Sequence, residues 1–154
     1  MRENVLSLLD QNTKLYGERI ALGKRNKYGW KELTYKGLGL LTKQFASYLI
    51  TDLQMQKGER LAILSESMPE MGACLFAAVI SGMVTVPLDN KLTIYELVSI
   101  LSSCQPSVLA VSQANLEKGL ELQKKIPSIK HIIIMDEPRY DSEYPSLYTL
   151  PSGR

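Results

Sequence analysis

The chain has 154 residues, of which 45% are hydrophobic and 22% charged, values that are typical of one globular domain and exclude a disordered or repetitive chain. Its 18 Lys and Arg against 16 Asp and Glu give a formal charge of +2, too small for net charge to indicate binding to nucleic acid or a membrane surface. Cys74 and Cys104 lie thirty residues apart. Because this spacing indicates neither a disulfide framework nor a metal site, we expect a reducing, cytoplasmic compartment.

The first third of the chain predicts a helix, a hairpin and a longer helix. Asn4 can cap a helix that ends near Gly17, and residues 20–22 and 30–33 are predicted to form two short strands around a polar turn. A second helix begins at Thr34, because apolar residues recur at helical spacing from there to residue 53.

Basic side chains are concentrated in this region. Residues 1–60 contain eleven Lys and Arg against six Asp and Glu, whereas residues 61–154 contain seven against ten. Much of the excess lies in five residues of the hairpin region: Lys24, Arg25, Lys27, Lys31 and Lys36. We expect them to form a solvated surface rather than a phosphate contact.

The rest of the chain repeats a short apolar strand followed by a helix. The predicted strands are residues 61–64, 84–86, 108–111 and 132–135, whose starts are 23 to 24 residues apart. Ser67 with Glu70 and Thr93 with Glu96 have the spacing of capping boxes at the first two helices. A third helix is predicted from near Ser112 to just before residue 126.

These strands are apolar at nearly every position, which requires cover on both faces and favours a parallel sheet with right-handed crossovers. The sequence therefore predicts an α/β fold, an open, mostly parallel sheet with flanking helices. Residues 71–88 form an uncharged run of 18 residues, long enough for a membrane helix. Because Gly82 and Pro87 interrupt it, we predict a buried helix, a turn and a strand, and no transmembrane segment.

The sequence changes in character after Met135, where it becomes polar and is interrupted by proline. We predict that residues 1–136 form the α/β part and that residues 137–154 are a linker toward sequence that is missing downstream.

Side chains with catalytic chemistry are scarce. No strand is followed by a glycine-rich turn of the kind that cradles phosphates, and Gly37-Leu38-Gly39 falls inside a predicted helix. His131 opens an apolar strand, where a structural role is expected. Cys74 and Cys104 are expected to be packed. We therefore predict no catalytic residue and no metal ligand within the chain.

Several strings in fixed order resemble the opening of the AMP-forming acyl-CoA synthetases, and the resemblance covers residues 4–136. The strings are WKELTY at residues 30–35, KGERLAIL at 57–64, SMPE at 67–70, AVISGMVTVPL at 78–88 and TIYEL at 93–97. The variant at residues 89–92 looks most like the fatty-acyl branch. The chain thus resembles the N-terminal part of the large domain of such a synthetase.

The resemblance implies a two-step reaction in which ATP and a fatty acid give an acyl-adenylate, from which CoA then displaces AMP with magnesium assisting the first step. Some members of the family place a basic side chain just after the Pro-Leu strand end to contact a phosphate of CoA, and Lys91 occupies that position. The alternative is a solvated lysine beside a helix cap. The family's phosphate loop, magnesium-binding glutamate and C-terminal catalytic lysine are absent. We therefore expect the isolated chain to be inactive, to bind no cofactor by itself and no nucleic acid, and to form a homo-oligomer. A stand-alone α/β binding or interaction module is the alternative.

Overall fold

The computed structural model of the chain describes residues 3–137 and 142–151. The described residues form five helices: α1 (Val5–Tyr16), α2 (Tyr35–Ser47), α3 (Glu70–Ile80), α4 (Ile94–Cys104) and α5 (Leu116–Lys125). The same part of the chain forms six strands: β1 (Ile20–Asn26), β2 (Gly29–Thr34), β3 (Arg60–Ser65), β4 (Val84–Asp89), β5 (Val108–Val111) and β6 (His131–Ile134). A π-helical turn (Tyr48–Asp52) extends α2, and a 3-10 turn (Gln113–Asn115) precedes α5.

Strands β1 and β2 form an antiparallel hairpin, whereas β3 to β6 form one parallel sheet in the order β4-β3-β5-β6. The predicted α/β architecture with a parallel sheet is therefore confirmed. The side chains of β3 alternate between two hydrophobic cores. Leu61 and Ile63 pack with residues of α1, α2 and α3, and Ala62 and Leu64 pack with residues of α4 and α5. Helices thus cover both faces of the sheet, as its continuous apolar strands require.

The apolar run at residues 71–88 folds as predicted. It forms most of α3, a turn at Gly82 with a φ of 74°, and strand β4. Within the described residues, no helix is long and apolar enough to cross a membrane.

One of the two predicted capping boxes is wrong. Thr93 and Glu96 form theirs at α4, and Asn4 caps α1 as expected. At α3, however, the residue before the helix is Pro69, and no side chain caps the end. Glu70 does not reach back to Ser67, because its carboxylate is bound to Lys31 and Tyr148 from distant parts of the chain.

The chain after β6 folds back onto the sheet. The backbone of Ile134 pairs with the segment at residues 145–147, where its N–H donates to the carbonyl of Pro145 at 2.8 Å and its carbonyl accepts from Leu147 at 2.9 Å. Leu147 and Leu150 are buried in the core that contains residues of α1, α2 and α3, which is the main core of the domain. Residues 138–141 and 152–154 of the predicted linker lie outside the described residues, and the boundary at residue 136 stays a prediction. Residues 142–151 form part of the packed domain.

The last strand of the parallel sheet is not exposed. Ile132 is 4% exposed and the next three residues are fully buried, because the folded-back segment lies beside them. The open edge of the sheet is β4, where Val84 is 50% exposed. Within the described residues, β4 pairs with a strand only on its β3 side.

Candidate functional site at the carboxyl end of the sheet

The carboxyl ends of the four parallel strands carry polar side chains. Ser65 and Glu66 follow the apolar part of β3, and Ser112 and Asp136 come directly or closely after β5 and β6. Parallel α/β sheets bind their ligands at this end, because loops from several strands converge there. This end of the sheet is therefore the candidate functional site.

Glu66 lies at the centre of a network that joins β3 to β5. Its Oε2 accepts hydrogen bonds from the Ser112 hydroxyl at 2.7 Å and from the Asn115 amide at 3.0 Å. The Asn115 amide also donates to the Ser112 hydroxyl at 2.8 Å. Ser112 is fully buried, so these bonds fix the carboxylate between the two strand ends.

Asp136 connects the end of β6 to the two segments beside it. Its carboxylate accepts a hydrogen bond from the backbone N–H of Gln113 at 2.7 Å. Its carbonyl accepts another from the buried hydroxyl of Ser146 at 2.8 Å. Asp136 is therefore held both to the start of the 3-10 turn and to the folded-back segment.

A second polar cluster is built around Glu70, at the start of α3. Its fully buried carboxylate forms an ion pair with Lys31 of the hairpin and accepts a hydrogen bond from the Tyr148 hydroxyl at 2.7 Å. Burial, followed by the hydrogen bond to Glu70 and the surrounding carboxylates, raises the pKa of the Tyr148 phenol. The phenol is thus held neutral and donates to Glu70. One carboxylate joins the hairpin, α3 and the folded-back segment.

Lys91 lies in the loop between β4 and α4, and it is exposed. Its backbone N–H donates to the carboxylate of Asp89 at 2.9 Å, and its ammonium forms no ion pair with a described residue. Lys118 of α5 stabilises the backbone of this loop, because its ammonium donates hydrogen bonds to the carbonyls of Asn90 at 2.8 Å and Leu92 at 2.6 Å. The Lys91 ammonium is therefore presented to solvent on a loop with a defined backbone.

The remaining candidates from the sequence do not join this site. His131 begins β6 at the opposite, amino end of the sheet, and burial lowers its pKa. Cys74 is fully buried, which confirms that it is packed, and burial raises the pKa of its thiol. Cys104 is half-buried near the end of α4. Gly37 and Gly39 lie within α2, as expected.

The polar residues of the strand ends could have been recognised from their positions. Glu66, Ser112 and Asp136 follow predicted parallel strands, and such positions meet at one edge. Lys118 gave no such signal, because it stands among polar residues of a helix and its role depends on a loop 26 to 28 residues away.

A family model described as AMP-binding enzyme matches residues 9–150 of the chain. The chain belongs to this family of AMP-binding enzymes. It is 31% identical to the luciferin 4-monooxygenase of Photinus pyralis over 104 residues, which cover 64% of this chain and 19% of that enzyme. It is 27% identical to a long-chain-fatty-acid–CoA ligase of Homo sapiens over 124 residues, which cover 80% of this chain and 17% of the ligase. The aligned part of the chain thus spans about a fifth of the length of these relatives.

Solved structures of two enzymes show the same fold. The coronafacic acid ligase of Pectobacterium brasiliense superimposes with a TM-score of 0.80 at 18% identity, over 98% of this chain and 30% of that one. A red emitting luciferase of Phrixothrix hirtus superimposes with a TM-score of 0.81 at 20% identity, over 95% of this chain and 35% of that one. At these identities the likeness shows the fold alone.

The described residues of this AMP-binding family member do not form a cradle for the phosphates of a nucleotide. The turns that follow β3, β4 and β5, at residues 66–69, 90–93 and 112–115, contain no glycine, so no backbone cradle is available for phosphate. Glu66, Asp89 and Asp136 make this end of the sheet acidic and repel phosphate. Nor do residues 3–137 and 142–151 contain a cluster of three or more His, Cys, Asp or Glu side chains that could hold a metal. Lys91 alone fits a peripheral phosphate.

Proposed function

We propose that the chain is the N-terminal portion of a cytoplasmic enzyme that joins a fatty acid to CoA through an acyl-adenylate. The observation that carries this proposal is the match of the AMP-binding family model to residues 9–150, together with the similarity to a long-chain-fatty-acid–CoA ligase over 80% of the chain. In the first step a carboxylate oxygen attacks the α-phosphorus of ATP and pyrophosphate leaves. In the second step the CoA thiol attacks the acyl carbonyl and AMP leaves.

The isolated chain is proposed to be inactive in the first step. Catalysis of phosphate displacement depends on positive charge fixed around the phosphates, and the turns at the carboxyl end of this sheet carry carboxylates instead. An assay of ATP–pyrophosphate exchange with fatty acids of several lengths tests this. We expect no exchange above a buffer blank, and exchange that depends on the carboxylate would overturn the assignment as an incomplete enzyme.

Lys91 is proposed to contact a phosphate of CoA in the enzyme that contains this chain. Its exposed ammonium and its fixed loop, held by Asp89 and Lys118, support this role. An exposed charge-assisted contact contributes about 1 kcal/mol, or about fivefold in affinity. Lys91→Ala should therefore raise the KM for CoA about fivefold and leave the adenylation half-reaction unchanged. Lys124→Ala, on the exposed part of α5, is the matched control, and an unchanged KM in Lys91→Ala would show that Lys91 is only solvated.

A stand-alone binding module is the second candidate. The observation in its favour is that both faces of the sheet are covered and that residues 142–151 close the β6 edge, so the chain has a core of its own. The reading frame beyond Arg154 separates the two candidates. A Ser/Thr/Gly-rich loop ending in lysine favours the ligase, and a stop codon favours the module.

Self-association is proposed for the isolated chain, because β4 presents an open edge to solvent and sheet edges pair readily with other strands. Val84→Lys, which places a charge on that edge, tests this proposal.

A further inference from the structure

The turn of the β1–β2 hairpin carries positive charge that is not neutralised. Lys24, Arg25 and Lys27 form no ion pair with any residue that the structure describes. Lys31, which pairs with Lys24 across the hairpin, reaches the buried carboxylate of Glu70 on the inner face. Arg25 and Lys27, which are exposed, are therefore available at the tip, whereas Lys24 is half-buried on the same face as Lys31.

Two aromatic side chains are exposed beside these cations. Tyr28 in the turn is 86% exposed and Trp30 is 65% exposed. The Lys27 ammonium lies 4.8 Å from the centre of the Tyr28 ring, and Trp30 pairs in register with Arg25. Aromatic side chains with one polar atom, next to Lys and Arg, are enriched where proteins meet the head groups of a membrane.

The tip has a defined backbone in the free chain. The strands remain paired as far as Asn26 and Gly29, and the Asn26 side chain accepts a hydrogen bond from the Tyr28 N–H at 2.8 Å. Gly29 has a φ of 128°, which only glycine adopts without strain. Because the turn is already formed, docking would not have to order it.

We infer that this hairpin tip, formed by residues 24–30, docks on the surface of a membrane that contains anionic lipids. The cations complement the lipid phosphates, and Tyr28 and Trp30 enter the head-group layer. The contact is small and depends on charge, so it is reversible and weakened by salt. It is independent of the proposed ligase reaction, because it needs neither ATP nor CoA.

Trp30 is the only tryptophan of the chain and lies within the proposed contact, so its fluorescence reports docking directly. The 154-residue chain is titrated with vesicles of phosphatidylcholine containing phosphatidylserine and with vesicles of phosphatidylcholine alone. We expect the emission of Trp30 to shift to shorter wavelengths, and its quenching by acrylamide to fall, only with the anionic vesicles. Added salt should reverse both changes. An unchanged emission together with no co-sedimentation overturns the proposal.

Two double variants locate the surface. Each basic residue close to an anionic membrane contributes roughly fivefold to partitioning, so Arg25→Gln with Lys27→Gln should weaken vesicle binding about thirtyfold. Lys124→Gln with Lys125→Gln removes the same charge from exposed positions of α5 and should change binding little. Equal losses in the two variants would show that only net charge matters and overturn the hairpin as the docking surface. Binding of the hairpin to RNA or to polyglutamate, without binding to vesicles, would overturn the membrane as its partner.

Discussion

The two edges of the parallel sheet differ in their exposure to solvent, and this difference is not evident from their sequences. Strand β6 is the more apolar edge, yet Ile133 and Ile134 are fully buried, because residues 145–147 pair with it and Leu147 packs into the core. Strand β4 contains Thr85 and Pro87, and Val84 is half-exposed.

The comparison shows that one edge of the sheet is covered, whereas the other is protected only in part. A strongly apolar edge is covered by another part of the chain, which removes its unpaired backbone groups from solvent. A less apolar edge stays open and carries a proline, whose missing N–H limits pairing with another strand. The cover of β6 and the openness of β4 are therefore separate properties that substitutions can test.

The largest effect is expected from removing the cover of β6. Leu147 is fully buried, and Leu147→Ala should lower the free energy of unfolding by about 3 kcal/mol, because it leaves a cavity in the main core. Val84→Ala at the open edge should change it by less than about 0.5 kcal/mol. Urea denaturation followed by far-UV circular dichroism measures both, and similar values for the two variants would contradict the difference between the edges.

A smaller effect is expected from the bond that ties the cover to α3. Tyr148→Phe removes the hydrogen bond to Glu70 and should cost about 1.5 kcal/mol, since the acceptor is a buried carboxylate and the phenol ring is partly exposed.

The same bond makes stability depend on alkaline pH. The pKa of the Tyr148 phenol is raised above the ordinary value of 10.0, so above about pH 10 the unfolded chain loses this proton while the folded chain retains it. The contribution of Tyr148 to stability is thus complete below pH 10 and declines as the pH rises further. Tyr148→Phe should lack that decline, whereas Tyr95→Phe, at an exposed tyrosine, should keep it. The free energy of unfolding is measured at pH 8 and pH 10.5 for the wild-type chain and both variants. An equal loss of stability between the two pH values in all three proteins would count against the bond.

Lys118 supports the loop that follows the open edge. Lys118→Met leaves the carbonyls of Asn90 and Leu92 without their donor and should cost about 1 kcal/mol. Amide hydrogen exchange at residues 90–92 should accelerate. The control Lys124→Met lies on the exposed side of the same helix and should leave that exchange unchanged. Slow exchange in Lys118→Met would show that the loop is held by its own turn, including the bond from Lys91 to Asp89.

Local patterns predicted the elements of this fold because each element obeys a short-range rule. The strand–helix repeat from residue 61 onward, the Thr93–Glu96 capping box and the turn at Gly82 are all visible within a few neighbouring residues. The parallel sheet followed from strands that are apolar on both faces.

The parts that could not be predicted depend on contacts between distant residues. Glu70 has the spacing of a capping residue, but Tyr148 lies 78 residues away and its hydroxyl, with Lys31, binds the carboxylate instead. Leu147 and Leu150 lie in a polar, proline-containing segment without periodicity, so nothing local indicates that they are buried. In the candidate site, Glu66 and Ser112 could be placed at one edge from the strand order, but Lys118 could not be assigned to its loop.

The smallest effect on stability, and the sharpest test of the open edge, is expected at Val84. If the isolated chain self-associates by pairing along β4, Val84→Lys should give a monomer, because a charged side chain on an edge strand opposes pairing. Its free energy of unfolding should change by less than about 0.5 kcal/mol, since Val84 is already exposed to solvent. Leu40→Lys, on the exposed face of α2, is the matched control, because Leu40 is 59% exposed but lies on a helix. Size-exclusion chromatography with light scattering at micromolar concentration distinguishes the cases. A dimer that only Leu40→Lys dissociates would place the contact on the helices. A monomeric wild-type chain would contradict self-association, and it would mean that the short pairing stretch of β4, which ends at Pro87, is sufficient to keep the edge unpaired.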